Sequence, residues 1–95
     1  MTLQDGDEIH CRICGYSDES LLWEDGWPNH VICDCCGNES GLGDTGTPGD
    51  WNGLSGIRAY RGYWVARGAQ WSASTRRPAD WDLLEQLGNI PPEWR

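Results

Sequence analysis

The chain contains no Phe, no Lys and a single Met among 95 residues. Without Phe, and with 38% apolar residues against 13 Gly and 5 Pro, it has little material for a self-sufficient hydrophobic core. A domain this small buries only about 60–65% of the surface that its unfolded form exposes, so a staple of some kind is expected. Without Lys, all seven cations are Arg, and they face 15 acids for a net charge of -8. That balance repels phosphate backbones, which disfavours nucleic-acid binding by bulk charge and favours a cationic protein partner. No stretch approaches the roughly 18 apolar residues of a membrane span. The opening residues, Met1 to Glu8, offer neither a basic start nor an apolar run of about seven residues, so no signal peptide is expected. The expected compartment is the reducing cytoplasm, where five cysteines serve as thiolate ligands more readily than as disulfides.

Seven Trp and three Tyr offset part of the missing core, since each can bury roughly 150–250 Å². The charge is unevenly placed. Residues 1–50 carry eleven acids and one Arg, a net of −10, whereas residues 51–95 carry four acids and six Arg, a net of +2. An acidic face at one end of the molecule follows.

The cysteines fall into two C-x-x-C-G units, Cys11-Arg12-Ile13-Cys14-Gly15 and Cys33-Asp34-Cys35-Cys36-Gly37, with 18 residues between Cys14 and Cys33. This is the spacing of a four-thiolate metal site. The units repeat at an offset of 22, and Ile9-His10 before the first is echoed by Val31-Ile32 before the second. Each unit reads as a strand entering a metal knuckle: two intervening residues turn both sulfurs toward one ion, and the following Gly supplies a positive φ. Cys11, Cys14, Cys33 and Cys36 are therefore the expected ligands of a closed, tetrahedral, structural Zn²⁺ site, with iron as the alternative occupant. Cys35 is expected to pack inside its knuckle as a small hydrophobe or to stay a free thiol. His10 and His30 read as flanking residues, because four thiolates already fill the coordination sphere.

The paired knuckles Cys11-Arg12-Ile13-Cys14-Gly15-Tyr16 and Ile32-Cys33-Asp34-Cys35-Cys36-Gly37 resemble rubredoxin-type zinc ribbons. A looser similarity through Gly53-Leu54-Ser55, Tyr60-Arg61 and Gly68-Ala69 extends to small cysteine-rich bacterial proteins of the CPCC type. That resemblance implies a rubredoxin-like ribbon and suggests a toxin-immunity role. In this chain Arg-Ile and Asp-Cys stand between the cysteines where those relatives often have Pro.

The expected fold is a small α+β single domain over residues 1–95: a zinc ribbon of short antiparallel strands at 9–40, a Gly-rich connection at 41–55, and a helical part at 56–90. Leu21-Leu22-Trp23 reads as a ribbon strand, followed by a turn from Glu24 to Asn29. From Gly37 to Gly56 there are seven glycines, and the acids of this stretch read as a solvated loop because the EF-hand order is absent. Residues 56–67 carry Ile57, Tyr60 and Trp64 on one helical stripe, with Ser55 as the expected N-cap and Gly68 as C′. A short second helix is expected from Leu83 to Leu87, capped by Asp82 and ended by Gly88, with Trp81, Leu84 and Leu87 docking beside the first. Arg58, Arg61, Arg67, Arg76 and Arg77 interleave with Trp64 and Trp71, a composition used by single-strand nucleic-acid sites. Pairing of those arginines with the acidic half is the stronger reading.

Enzyme function is not expected. H-E-x-x-H, a deaminase H-x-E partner, a P-loop and G-x-S-x-G are all missing, and an ion held by four cysteines has no open position for a reacting water.

Overall fold

A computed structural model describes residues 3–95 as a small α+β fold with one two-stranded antiparallel sheet and one main helix. Its radius of gyration, 12.5 Å, matches the roughly 12 Å of a compact chain of this length.

The sheet is a minimal hairpin, β1 (Trp23–Glu24) and β2 (Trp27–Pro28), with Trp23 opposite Pro28 and Glu24 opposite Trp27. Asp25 and Gly26 turn the chain with φ of 53° and 80°, the two positive values that a tight hairpin turn requires. The expected strand over Leu21-Leu22-Trp23 and the turn from Glu24 to Asn29 are thus corrected: Leu21 and Leu22 lie outside β1, Glu24 lies inside it, and Trp27 and Pro28 form β2. The short turn wins because the segment before it pins it. Gly26 N–H donates to the Gly6 carbonyl at 3.0 Å, and Asp25 N–H to Asp7 Oδ1 at 2.9 Å. The strands expected to enter the knuckles are also absent among the described residues. Ile9 and His10 form no bridge, the nearest being Glu8 with Trp23, and of Val31-Ile32 only Ile32 forms one, with Glu39. Knuckle turns divert the neighbouring backbone groups before a ladder can lengthen.

Helix α1 spans Trp51–Ala66 and begins five residues before the expected start. Asp50, not Ser55, is its N-cap, with Oδ1 accepting from Asn52 N–H at 3.1 Å, while Ser55 Oγ donates to the Asn52 carbonyl inside the helix. The connection therefore ends at residue 50. Gly53, counted with the Gly-rich connection, lies in the first turn of the helix: a Cβ there would stand 2.7 Å from the Thr45 carbonyl oxygen, so the glycine admits a loop packed against that turn. The expected stripe is present: Ile57 and Trp64 are buried and Tyr60 is half-buried. The helix closes at Gly68, whose φ of 97° suits the C′ position.

Helix α2 spans Leu83–Leu87, with Asp82 Oδ1 accepting from the N–H groups of Leu84 and Glu85. Its docking differs from expectation. Leu84 is 78% exposed, and the inward residues are the half-buried Leu83 and Leu87 with the buried Gln86. α2 packs on the first knuckle and not beside α1: Gln86 Nε2 donates to the Cys14 carbonyl at 3.1 Å, and a Cβ on Gly15 would overlap the Gln86 carbonyl oxygen. A buried amide with a backbone partner outcompetes a leucine contact in fixing this short helix.

The two halves are joined largely through donors of the second half that reach backbone carbonyls of the first. Arg61 donates to the carbonyls of Ile13 at 2.6 Å and Arg12 at 2.8 Å, Tyr60 Oη to that of Cys36 at 3.3 Å, and the N–H groups of Ser72 and Ala73 to those of Cys35 and Asp34 at 2.9 and 2.8 Å. Only Arg76 with Asp34, at 3.4 Å, supplies the expected ion pair between halves among the described residues. Backbone carbonyls are already fixed in place, so a guanidinium reaching them orders fewer side chains than one reaching a mobile carboxylate.

Candidate metal centre

The two knuckles match in their backbone bonding. Cys11 N–H donates to the Tyr16 carbonyl and Cys33 N–H to the Asn38 carbonyl, both at 2.8 Å; Gly15 N–H returns to the Cys11 carbonyl at 2.9 Å and Gly37 N–H to that of Cys33 at 3.0 Å. The glycines hold φ of 84° and 81°, as the C-x-x-C-G pattern requires.

These two turns bring Cys11, Cys14, Cys33 and Cys36 together, with all four Sγ atoms within 4.8 Å of one another and all four residues buried. Cys11 Sγ lies 3.6 Å from Cys36 Sγ, and Cys14 Sγ lies 3.6 Å from Cys33 Sγ. No cysteine is in a disulfide. Four sulfurs placed tetrahedrally at about 2.3 Å from an ion stand roughly 3.8 Å apart. The observed spacing fits a single captured metal ion, and the cluster could hold one.

The electrostatics point the same way. Cys14 and Cys36 are pushed far up, first by thiol hydrogen bonding to Cys11, with burial adding to it, while Cys33 is driven down, first by hydrogen bonds from Cys11 and Cys14. Crowded sulfurs share protons because four adjacent thiolates would repel one another in a buried space. A cation removes that conflict and allows all four to ionise.

Cys35 does not join the four. It is fully buried, and its Sγ accepts from Gln86 Nε2 at 3.3 Å, so the small-hydrophobe expectation gains a hydrogen bond. His10 and His30 also stay outside the cluster; His30 is exposed and stands 3.4 Å from Glu39. Trp64 and Trp71 are buried, and Trp64 Nε1 donates to the Gln70 carbonyl at 2.9 Å, which removes both rings from a base-stacking surface.

Two residues near the centre escaped the sequence reading. Arg12, an intervening knuckle residue, is only 4% exposed. Its guanidinium lies between the rings of Trp23 at 3.7 Å and Trp94 at 4.0 Å, pairs with the Glu8 carboxylate, and donates to the carbonyls of Asp44 and Gly46. Asp44, in the stretch read as a solvated loop, is 2% exposed. Its carboxylate accepts from Trp23 Nε1 at 3.1 Å and from Gly41 N–H at 2.7 Å, which folds the Gly-rich connection over the knuckle. The only available hint was the spacing of Glu8 and Arg12. A charged knuckle residue normally faces solvent, and the partners that bury this one come from remote sequence.

No helix among the described residues is long and apolar enough to cross a membrane. No protein-family model, curated protein or solved structure matches the chain.

Proposed function

We propose that this chain is a non-enzymatic, rubredoxin-like zinc-ribbon protein in which a structural ion bound by four cysteines holds an acidic surface for a protein partner. The convergence of four buried sulfurs on two matched knuckles carries the metal role. Cys11, Cys14, Cys33 and Cys36 would hold the ion, and the ion would supply folding free energy on the order of 10 kcal/mol. A filled thiolate sphere leaves no position for a substrate or an attacking water, which supports a role outside catalysis. The lopsided charge, −10 over residues 1–50, supports a cationic partner, and the likeness of the knuckles to CPCC-type proteins suggests toxin immunity as the biological setting.

Metal analysis of the purified chain tests this reading. One zinc per chain in a colourless protein is expected, together with a melting temperature that falls sharply on treatment with a chelator. One iron per chain and a red oxidised protein would replace the structural role by electron transfer. A metal-free protein of undiminished stability would overturn the metal reading.

A further inference from the structure

The four clustered cysteines are all buried, but they are not equally sheltered. Cys14 is 0% exposed and Cys11 2%, whereas Cys36, at 8%, borders a cleft of about 430 Å³ that runs along Tyr60, Trp64 and Arg67 of α1 and its C-terminal end. Cys33 borders a crevice of about 10 Å³, scarcely room for one water. A small solute therefore meets the cluster at Cys36. Arg67 is the only charged side chain lining that cleft, so no carboxylate there opposes an oxidant that sheds hydroxide. Oxidation of cysteine follows access of this kind, together with thiolate character.

A reaction partner already stands against Cys36. Cys11 Sγ, from the other knuckle, is 3.6 Å from Cys36 Sγ, and rotation of the two side chains with a small shift of the knuckles brings that spacing to the roughly 2.05 Å of a disulfide. Cys35 is the nearer residue in sequence but is engaged elsewhere. It is 0% exposed, and its Sγ accepts from Gln86 Nε2 at 3.3 Å.

We propose that Cys36 and Cys11 form a peroxide-sensitive pair, in which Cys36 is the residue oxidised and Cys11 the one that resolves it into a disulfide between the knuckles. The Cys36 sulfur attacks one oxygen of hydrogen peroxide: the S–O bond forms, the O–O bond breaks, and the departing hydroxide takes the thiol proton to become water. The Cys11 sulfur then attacks the sulfenic sulfur. The S–S bond forms, the S–O bond breaks, and the second hydroxide leaves with the Cys11 proton. Two thiols have lost two electrons, and one peroxide has become two waters. Two of the four ligands are thereby withdrawn, so the cluster gives up its ion while the knuckles stay joined. The pair deepens the four-sulfur metal reading, on which it rests, and is independent of the acidic surface.

The test treats the zinc-loaded full chain with hydrogen peroxide in the presence of a chromogenic zinc indicator, with dimedone in a parallel sample to capture sulfenic acid. Expected are one zinc released per disulfide formed, a mass lower by two hydrogens, and a dimedone adduct on Cys36. Cleavage after Arg12 and before the Asp residues puts Cys11, Cys14 and Cys33 on separate peptides, and fragmentation of the remaining one tells Cys35 from Cys36. The first link should join Cys11 to Cys36. Cys35→Ser should release zinc at the parent rate and give the same link. A first link formed by any other pair, a first adduct on another cysteine, or zinc loss with higher sulfur acids and no disulfide would each overturn the assignment. A loaded chain that peroxide leaves unaltered would overturn the pair and leave the metal reading intact, whereas a chain that takes up no metal would overturn both.

Discussion

The first and second knuckles share a backbone and differ in almost everything attached to it. At the first intervening position stands Arg12, buried between two indoles, where the second knuckle has Asp34, partly exposed and paired at 3.4 Å with the exposed Arg76. Against the turn glycine of the first lies the backbone of α2; against that of the second lies only the Ser72 side chain, 3.4 Å from where a Cβ would stand. The same metal-knuckle geometry therefore serves two purposes. The first carries α2, and the second carries the stretch after α1, where Ser72 and Ala73 N–H donate to the Cys35 and Asp34 carbonyls at 2.9 and 2.8 Å. Sequence repetition established the common geometry, and the surroundings established the division of labour.

Where the knuckles are equivalent, damage should be equal and greatest. Cys14→Ser and Cys36→Ser should each lose the metal and unfold the chain, a loss on the order of 10 kcal/mol, read out by metal stoichiometry and circular dichroism. A folded, metal-loaded Cys36→Ser protein would show that the second knuckle is dispensable.

The next effect separates them. Arg12→Ala should cost about 3–5 kcal/mol in denaturant unfolding, because it strands the Glu8 carboxylate and empties the space between Trp23 and Trp94. The matched change Asp34→Asn removes an exposed pair and should cost about 0–1 kcal/mol. Equal costs would erase the difference between a buried and an open knuckle.

The turn glycines sharpen the same contrast. Both hold positive φ, so replacing either by Ala costs about 1–2 kcal/mol of backbone strain. Gly15→Ala must also displace the Gln86 carbonyl and the Ile90 amide, raising the expected cost to about 2–5 kcal/mol, whereas Gly37→Ala meets only ordinary contact. Thermal melts of the two variants measure the difference.

Smallest of all should be Cys35→Ser, which keeps an acceptor for Gln86 Nε2 and leaves the four clustered sulfurs untouched. A shift in stability within about 1 kcal/mol and full metal content are expected. Loss of metal would mean that Cys35 replaces a neighbouring ligand.

Local rules made several elements readable in advance. Cys11, Cys14, Cys33 and Cys36 stood out by spacing alone, and Gly15 and Gly37 by the φ that a knuckle needs. Asp82 and Gly88 bounded α2 to the residue, since capping depends only on side chains a few positions away. The start of α1 was missed because Gly53 lowers helix propensity, and its compensating close approach to Thr45 is visible only in three dimensions. Leu84 was assigned to the interior on periodicity, but a five-residue helix is oriented by whichever contact fixes it, and here that contact is Gln86.

The amino-acid order by itself determined the two knuckles, the four sulfurs they present, the caps of the short helix and the lopsided charge, because each depends on residue chemistry over a handful of neighbouring positions. Only the tertiary structure decided that Arg12 and Asp44 lie inside, that α2 rests on the first knuckle, and that Cys36 borders a cleft. Those outcomes depend on which remote groups can desolvate a charge, satisfy an amide or wall a cavity, and such partners exist only once the chain has brought them together.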